Sequence, residues 1–366
     1  MSDLAQRDAH MALALTPGIG PRRFGRLIER FGSPLGALTA PFASLGTVPG
    51  ISRAAATAIG NQSPTAGAEV RQKVEALDGR CLLPNDPQYP AILKDIPDPP
   101  LVLFALGRLE LLEAPAVAVV GSRDHSNYGV RMTQAIAAEA SKVGIVVVSG
   151  MARGLDAAAH TAALDQGGGT IGVLGNGLGV VYPAANRGLY RRVEREGLLL
   201  TEFPPGEKPH ASSFPRRNRL ISGLAKVTVV VEAAAGSGTL ITVGAALEQG
   251  REVMAVPGTV TSPTSVGTNR LIRDGATPLL EPTDLLAFYD ASPTAPKPEA
   301  PPSRPPRPPL TPEEERVFGA LGRAPVHLDV LATTINQPIA GVLDRLCALE
   351  LAGLVEQQPG RLFVRM

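Results

Sequence analysis

Tryptophan is absent from this 366-residue chain, and aromatic residues make up only 4% of it although apolar residues reach 44%. A core of that composition is aliphatic, of the kind that parallel α/β sheets bury on both faces. The two cysteines, Cys81 and Cys347, stand far apart with no metal-ligand spacing. They argue against a disulfide scaffold or a zinc site, and fit buried thiols in a reducing compartment. Net charge is only +1, so any polyanion has to be held by local patches and not by a global field. No apolar run reaches the roughly 18 residues that a membrane span needs. The opening stretch MSDLAQRDAHMALAL carries acids and lacks the layout of a signal peptide. A cytoplasmic protein without membrane attachment is expected.

The motifs of common nucleotide enzymes are missing as well. No G-x-x-x-x-G-K-[ST] occurs, which argues against a P-loop ATPase. The turn at Gly175 does not complete G-x-G-x-x-G, because position 180 is Val, so a nicotinamide cofactor has no support. There is no G-x-S-x-G elbow for a serine hydrolase. The five histidines (His10, His125, His160, His210 and His327) are scattered and suggest no metal site. His160 is expected to orient a loop in preference to acting as a base. No cofactor and no catalytic residue is expected.

What is present divides the chain. Between Ser292 and Pro309 lie nine prolines among Ala, Lys, Glu and Arg. Such a stretch cannot form a core and reads as an extended, semi-rigid tether. Four segments result: a helical domain over 1–75, a core over 76–290, the proline-rich linker over 291–310 and a small C-terminal domain over 311–366. In the first, LTPGIGP (15–21) leads into the amphipathic stretch Arg22–Phe31, and VPGIS (48–52) into Arg53–Ile59. A Pro-Gly turn feeding a short helix, repeated once, resembles tandem helix-hairpin-helix motifs, whose glycines let a backbone approach closely. Residues 1–60 hold six Arg against three acids. Whether that surface meets DNA or simply closes a small helical domain is left open by the sequence.

From Ala116 onward, short continuous apolar runs (Ala116–Val120, Ile145–Val148, Thr170–Leu174, Leu198–Leu200, Val227–Val231 and Val253–Val256) alternate with helical stretches. This predicts an α/β, doubly wound, mostly parallel Rossmann-like sheet covered on both faces. In such a sheet ligands collect at the carboxyl ends of the strands. Those ends carry Gly121, Ser122, Arg123 and Ser126; Arg153 within SGMARGLD (149–156); GNGLG (175–179) with Tyr182; and Glu232 followed by Gly236, Ser237, Gly238 and Thr239. A segment of Phe214, Pro215, Arg216, Arg217, Asn218 and Arg219 reads as a loop leading into a helix. Free amides at helix starts and guanidinium forks both favour phosphate oxygens. One glycine turn is weak evidence; several at successive strand ends with arginines beside them predict a phosphate-bearing ligand.

Taken in order, the stretches GSRDHSNYG, SGMARGLDAAAH, TIGVLGNG, VYPAAN, TEFPPG, FPRRNRLISGL, VVVEA, GSGTLIT, REVMAVPG and TNRLIRDGA resemble the Rossmann core of the DprA (DNA-processing) family, from Gly121 to Gly275. The resemblance extends to a small helical domain before the core and a winged helix after it. It implies a homodimer through the core that binds single-stranded DNA, in natural transformation or recombinational repair. It also implies a partner, RecA, loaded onto the strand against single-strand-binding protein, itself a further candidate contact. The family usually has an acid at the position of Gly179 and often a base at that of Ala184; Arg187, one turn later, is placed to restore that charge.

On this reading Arg123 and the amides of Gly121–Arg123 and Gly236–Thr239 grip successive phosphates, with Ser126 and Arg153 on the same surface. Arg216, Arg217, Asn218 and Arg219, with Lys226, extend the track, and Phe214 or Tyr128 stacks a base. A second class stays open. The core is similar to cytokinin-activating phosphoribohydrolases, whose P-G-G-x-G-T-x-x-E signature ends in a catalytic Glu; here that position is Thr242. Asp156, Glu202 and Glu232 remain as carboxylates near strand ends. The last block, Thr311–Met366, reads as a winged helix with five Arg and seven acids, which suits a partner contact at least as well as duplex DNA.

Overall fold

The computed structural model describes residues 3–63, 65–289, 310–322 and 325–365. The linker expected over 291–310 lies outside these apart from Leu310. Two compact units divide the chain between 294 and 295.

The first unit opens with six helices: α1 (Asp3–Ala14), α2 (Pro21–Phe31), α3 (Pro34–Leu38), α4 (Phe42–Leu45), α5 (Arg53–Gly60) and α6 (Ala66–Glu75). Their apolar faces close a core around Leu13, Phe24, Leu27, Leu45 and Ile59. The two Pro-Gly turns feed α2 and α5, and Gly18 and Gly50 hold φ of 83° and 81° there. That left-handed region is one glycine enters without steric cost. α1 and α6 cross at Gly67, where a Cβ would stand 1.8 Å from the Asp8 carbonyl oxygen. Arg7 forms an ion pair with Asp86, and His10 Nε2 lies 2.9 Å from the Leu101 carbonyl oxygen. These bonds seat the helices on the sheet.

That sheet has nine strands: β1 (Arg80–Leu82), β2 (Leu103–Gly107), β3 (Ala116–Val120), β4 (Val146–Ser149), β5 (Thr170–Val173), β6 (Leu198–Thr201), β7 (Val227–Val230), β8 (Glu252–Ala255) and β9 (Thr277–Pro278). Between them run α7 (Asn127–Lys142), α8 (Leu155–Asp165), α9 (Arg187–Glu196), α10 (Ser213–Gly223), α11 (Thr239–Glu248) and α12 (Val266–Arg273). The spatial order is β1-β2-β6-β5-β4-β3-β7-β8-β9. Strands β6 to β9 in this order are parallel, while β2 joins β6 and β1 joins β2 antiparallel. The six strands expected from apolar runs are present to within a residue at each end. Their side chains divide by alternation. Ala118, Val120, Val148, Ile171 and Val173 face a core shared with Leu220 of α10 and Val243 of α11. Val117, Val119, Val147 and Val229 face Ile136 and Ala140 of α7 and Ala159 of α8.

From β3 the chain steps outward through β4, β5 and β6, then returns to lay β7 against the other side of β3. The carboxyl ends of β3 and β7 therefore border a topological switch point, where doubly wound sheets hold their ligands. Among the described residues no helix is long and apolar enough to cross a membrane.

The second unit contains α13 (Pro312–Ala320), β10 (Val326–His327), α14 (Leu328–Ile335), α15 (Ile339–Leu351), β11 (Val355–Gln358) and β12 (Leu362–Arg365). The strands pair in the order β10-β12-β11, giving three helices and a wing around Phe318, Leu331, Leu346 and Phe363. Thr311 and Glu314 form a reciprocal capping box at the start of α13.

Gly67→Ala tests the crossing of α1 and α6. The added methyl forces the helices apart, and denaturant unfolding should show a loss of about 1–3 kcal/mol. An unchanged midpoint would mean that the helices are not held as tightly as their geometry requires.

Candidate nucleic-acid interface

At the switch point a cleft of about 390 Å³ opens between the turn after β3 (Gly121–Asp124), the start of α10 (Phe214, Asn218) and the turn before α11 (Gly236–Thr239). A hollow of about 60 Å³ lies beside it, lined by Arg153, Asn176, Tyr182 and Pro183. Arg123, Ala152, Phe214 and Arg217 border both. Arg123 is exposed, and its guanidinium carbon lies 6.0 Å from the centre of the Phe214 ring, within cation–π reach. Tyr182 extends this aromatic surface, with its ring centre 5.5 Å from that of Phe214. Neither Arg123 nor Arg153 has an acidic partner among the described residues. The amides of Ser122, Arg123, Gly236 and Gly238 are likewise without hydrogen-bond acceptors among them.

Other rim residues hold the turns in place. The Ser126 hydroxyl caps α7 by accepting from the Gly129 amide at 3.1 Å, and donates to Glu232 at 2.6 Å. Glu232, itself buried, also accepts from the Ser126 amide at 2.9 Å and the Thr264 hydroxyl at 3.0 Å. His160 is fully buried. The Thr170 hydroxyl donates to the Val147 carbonyl, so it accepts from His160 Nδ1 at 2.7 Å, leaving Nε2 to accept from the Met151 amide. That contact steadies Met151, whose φ is 56°, a conformation uncommon for a side chain of its size. Burial, and next the nearby Arg217 charge, push the His160 imidazole down to about 3. It is a neutral loop brace, as its sequence context led us to expect.

Arg217 is 5% exposed and points inward, donating to the carbonyl oxygens of Gly150 and Val173 at the ends of the β4 and β5 strands. Burial lowers its guanidinium to about 10, outweighing the attraction of Asp156. Burial likewise raises the Asp156 carboxyl, against the opposing pull of Arg217. For both groups the loss of water decides the direction.

The segment expected as a loop, Phe214–Arg219, is the first two turns of α10, with Pro215 inside the first turn where its missing N–H is harmless. Helical geometry fans out residues that a loop would have strung in a line. Arg216 and Arg219, three apart, converge on Glu202. Arg216 Nε and Nη2 lie 3.0 Å from its two oxygens, the Nη2 contact being a hydrogen bond, and Arg219 Nη2 donates a second while Arg219 also reaches Asp98. Arg216 keeps 56% of its side chain exposed and lies over the Phe203 ring at 5.1 Å. Asn218 lines the cleft, its side-chain oxygen accepting from Arg217 Nε.

Lys226 stands apart. It precedes β7 and so lies at the amino-terminal edge of the sheet, beside an apolar hollow lined by Leu112, Ile145 and Tyr289. In a parallel sheet the residue before a strand and the residue after it occupy opposite rims. It therefore cannot extend the track of Arg123. Tyr128 is turned toward the Pro257 carbonyl, to which its hydroxyl donates at 3.0 Å, and does not line the cleft. Tyr182, named in the sequence among the strand-end residues but not as a stacking ring, is the aromatic residue that lies beside Phe214.

Residues 80–290, more than half of the chain, match the family model of DNA recombination-mediator protein A. The chain belongs to this family. Its second unit matches the DprA winged helix domain over 300–361. Protein Smf of Synechocystis is 33% identical, with 97% of this chain and 98% of that one aligned. The solved structure of DNA processing protein A from Streptococcus pneumoniae superposes with a TM-score of 0.68 at 34% identity, over 76% of this chain and 97% of that one. DNA processing protein A from Helicobacter pylori, solved for its single-stranded DNA binding mode, gives a TM-score of 0.53 at 28% identity over 57% and 94%.

The buried imidazole makes a pH prediction. An ordinary histidine titrates near 6.5, so the unfolded chain takes up a proton at His160 that the folded chain refuses until about pH 3. Stability from this group is complete above about pH 6.5 and falls by about 1 kcal/mol per pH unit below it. Denaturation midpoints between about pH 7 and about pH 5 should therefore drop less steeply in His160→Asn than in the parent. Parallel curves would show that the imidazole titrates normally.

Proposed function

We propose that the chain binds single-stranded DNA in the cleft at the carboxyl edge of its sheet, without sequence preference and without catalysing a reaction. One observation carries this reading: Arg123, with no acidic partner among the described residues, lies beside the Phe214–Tyr182 aromatic pair and next to unbonded backbone amides. Guanidinium and amide groups take phosphate oxygens, and ring faces stack on any base for roughly 1–3 kcal/mol each. The binding mode for which the Helicobacter pylori relative was solved supports the same ligand.

Non-enzymatic action is supported by the state of the carboxylates. Glu232 is held by Ser126 and Thr264, Glu202 by two arginines, and Asp156 accepts from the Gly150 amide beneath the surface. The position where the related hydrolases carry a catalytic Glu is the buried Thr242. We read the protein as a homodimer, joined through the core sheet, that hands the strand to RecA in competition with single-strand-binding protein. The description of its family as recombination mediators supports this role in transformation or repair.

Filter binding with oligo-dT, duplex and mononucleotides tests the reading. Oligo-dT should bind best, with affinity falling steeply as salt rises. Arg123→Gln should weaken oligo-dT by about tenfold or more, since an Arg–phosphate pair is a charge-assisted bond. Unaltered binding in a folded variant would reject this cleft, and release of free base from nucleoside monophosphates would return the hydrolase reading. Addition of the protein should also speed RecA assembly on strands coated with single-strand-binding protein; no acceleration would remove the mediator role.

A further inference from the structure

Arg216 and Arg219 are tied to Glu202, Arg217 is buried, and Lys226 lies on the far edge, so a long strand leaving the cleft needs cations from another element. Helix α9 has them. Arg187, Arg191 and Arg195 recur every four residues and all are exposed, while Tyr190 and Val193 take the buried face. Side chains so spaced on a helix stand roughly 5–6 Å apart in one row. Arg192, off this row, is engaged by Asp165 at 2.6 Å and Glu196 at 3.1 Å. Arg195 comes within 3.7 Å of Glu196, whereas Arg187 and Arg191 have no acidic partner among the described residues.

The start of α9 departs from helix preferences in two ways. An acidic first turn and a side-chain cap normally stabilise a helix start. Here the first turn has no acid and opens on Arg187, and Asn186, a residue well suited to capping, makes no cap bond. The Asn186 amide donates instead to the carbonyl oxygens of Met151 and Ala152, at 3.0 and 3.1 Å. The turn that bears Arg153 and the first turn of α9 are thereby fixed to each other. Positive side chains beside the positive end of a helix repel in the free protein, and a bound anion relieves that repulsion.

Resting on the ligand proposed above, we infer that the single strand leaves the cleft over α9, passing from Arg123 and Arg153 to Arg187 and Arg191. It does not leave over the Arg216–Arg219 side of α10. The row of arginines makes this a second, length-dependent contact region for phosphates.

The test uses the full chain with two labelled oligo-dT probes, one of about 6 nucleotides that fills only the cleft and one of about 20. Arg187→Gln/Arg191→Gln should bind the short probe like the parent. It should bind the long one about fivefold more weakly, with a log–log salt slope shallower by about 1.4 for two lost phosphate contacts. Arg187→Lys/Arg191→Lys should restore both, and Arg216→Gln should leave both unchanged. Long-probe affinity and slope that stay at parent values in the folded Gln double variant would overturn the α9 path. A loss in Arg216→Gln instead would assign the path to α10. Failure of the parent to bind either probe would overturn the proposed ligand itself, an outcome separate from the one that removes only the path.

Discussion

The rim of this molecule is organised around one buried cation. The Arg217 guanidinium has given up water to bond carbonyl oxygens at the ends of two neighbouring strands, Gly150 just after β4 and Val173 at the end of β5. An unpaired buried charge would cost several kcal/mol; here the two carbonyls and Asp156 offset part of that cost. The bonds fix the first turns of α10 to the ends of β4 and β5, which sets Phe214 against Gly175 and places its ring under Arg123. The same charge helps keep His160 neutral, and the neutral imidazole holds the Met151 turn. Removing this one group would loosen both walls of the cleft.

Much of the architecture could be read before any coordinates. Runs such as AVAVV (116–120), IVVV (145–148) and LLL (198–200) have apolar side chains on both faces, and their alternation with helical stretches marks them as buried strands. Glycines at strand ends marked the carboxyl rim as the ligand side, and Arg123 lies on that rim, beside the switch point that the strand order defines. Strands β1, β2 and β9 were not anticipated: RCL and TP are too short to show a period, and LFALG, an apolar run of the same kind, lies before the alternating strand–helix pattern that begins at Ala116.

The arginine-rich segment was harder to read. Phe214 to Arg219 has Pro215 near its start, and a proline in a polar stretch suggests a loop. Proline in a first helical turn is equally acceptable, and the helix then sends adjacent residues in directions about 100° apart. Arg216 and Arg217, neighbours in sequence, thus have opposite environments. Their partners were also invisible: Glu202 meets Arg219 from 17 positions away, and sequence spacing says nothing about such long-range pairing. Lys226 failed for a topological reason, since proximity to a strand does not state which end of it is concerned.

The seating of the helical domain has a consequence for binding. Arg7 on Asp86 and His10 on Leu101 tie the helical domain to the sheet, Arg71 on Asp8 ties α6 to α1, and Glu232 braces the α7 start, so the proposed binding surface is held by bonds made within the protein. A flexible polymer that docks on a preorganised surface bears nearly all of the conformational entropy loss itself. That loss is incurred once for the first nucleotides held, and each following one adds contact at a smaller ordering cost. On the proposed reading, such a surface would discriminate by how supple the polymer is, favouring strands that have not already been stiffened by base pairing.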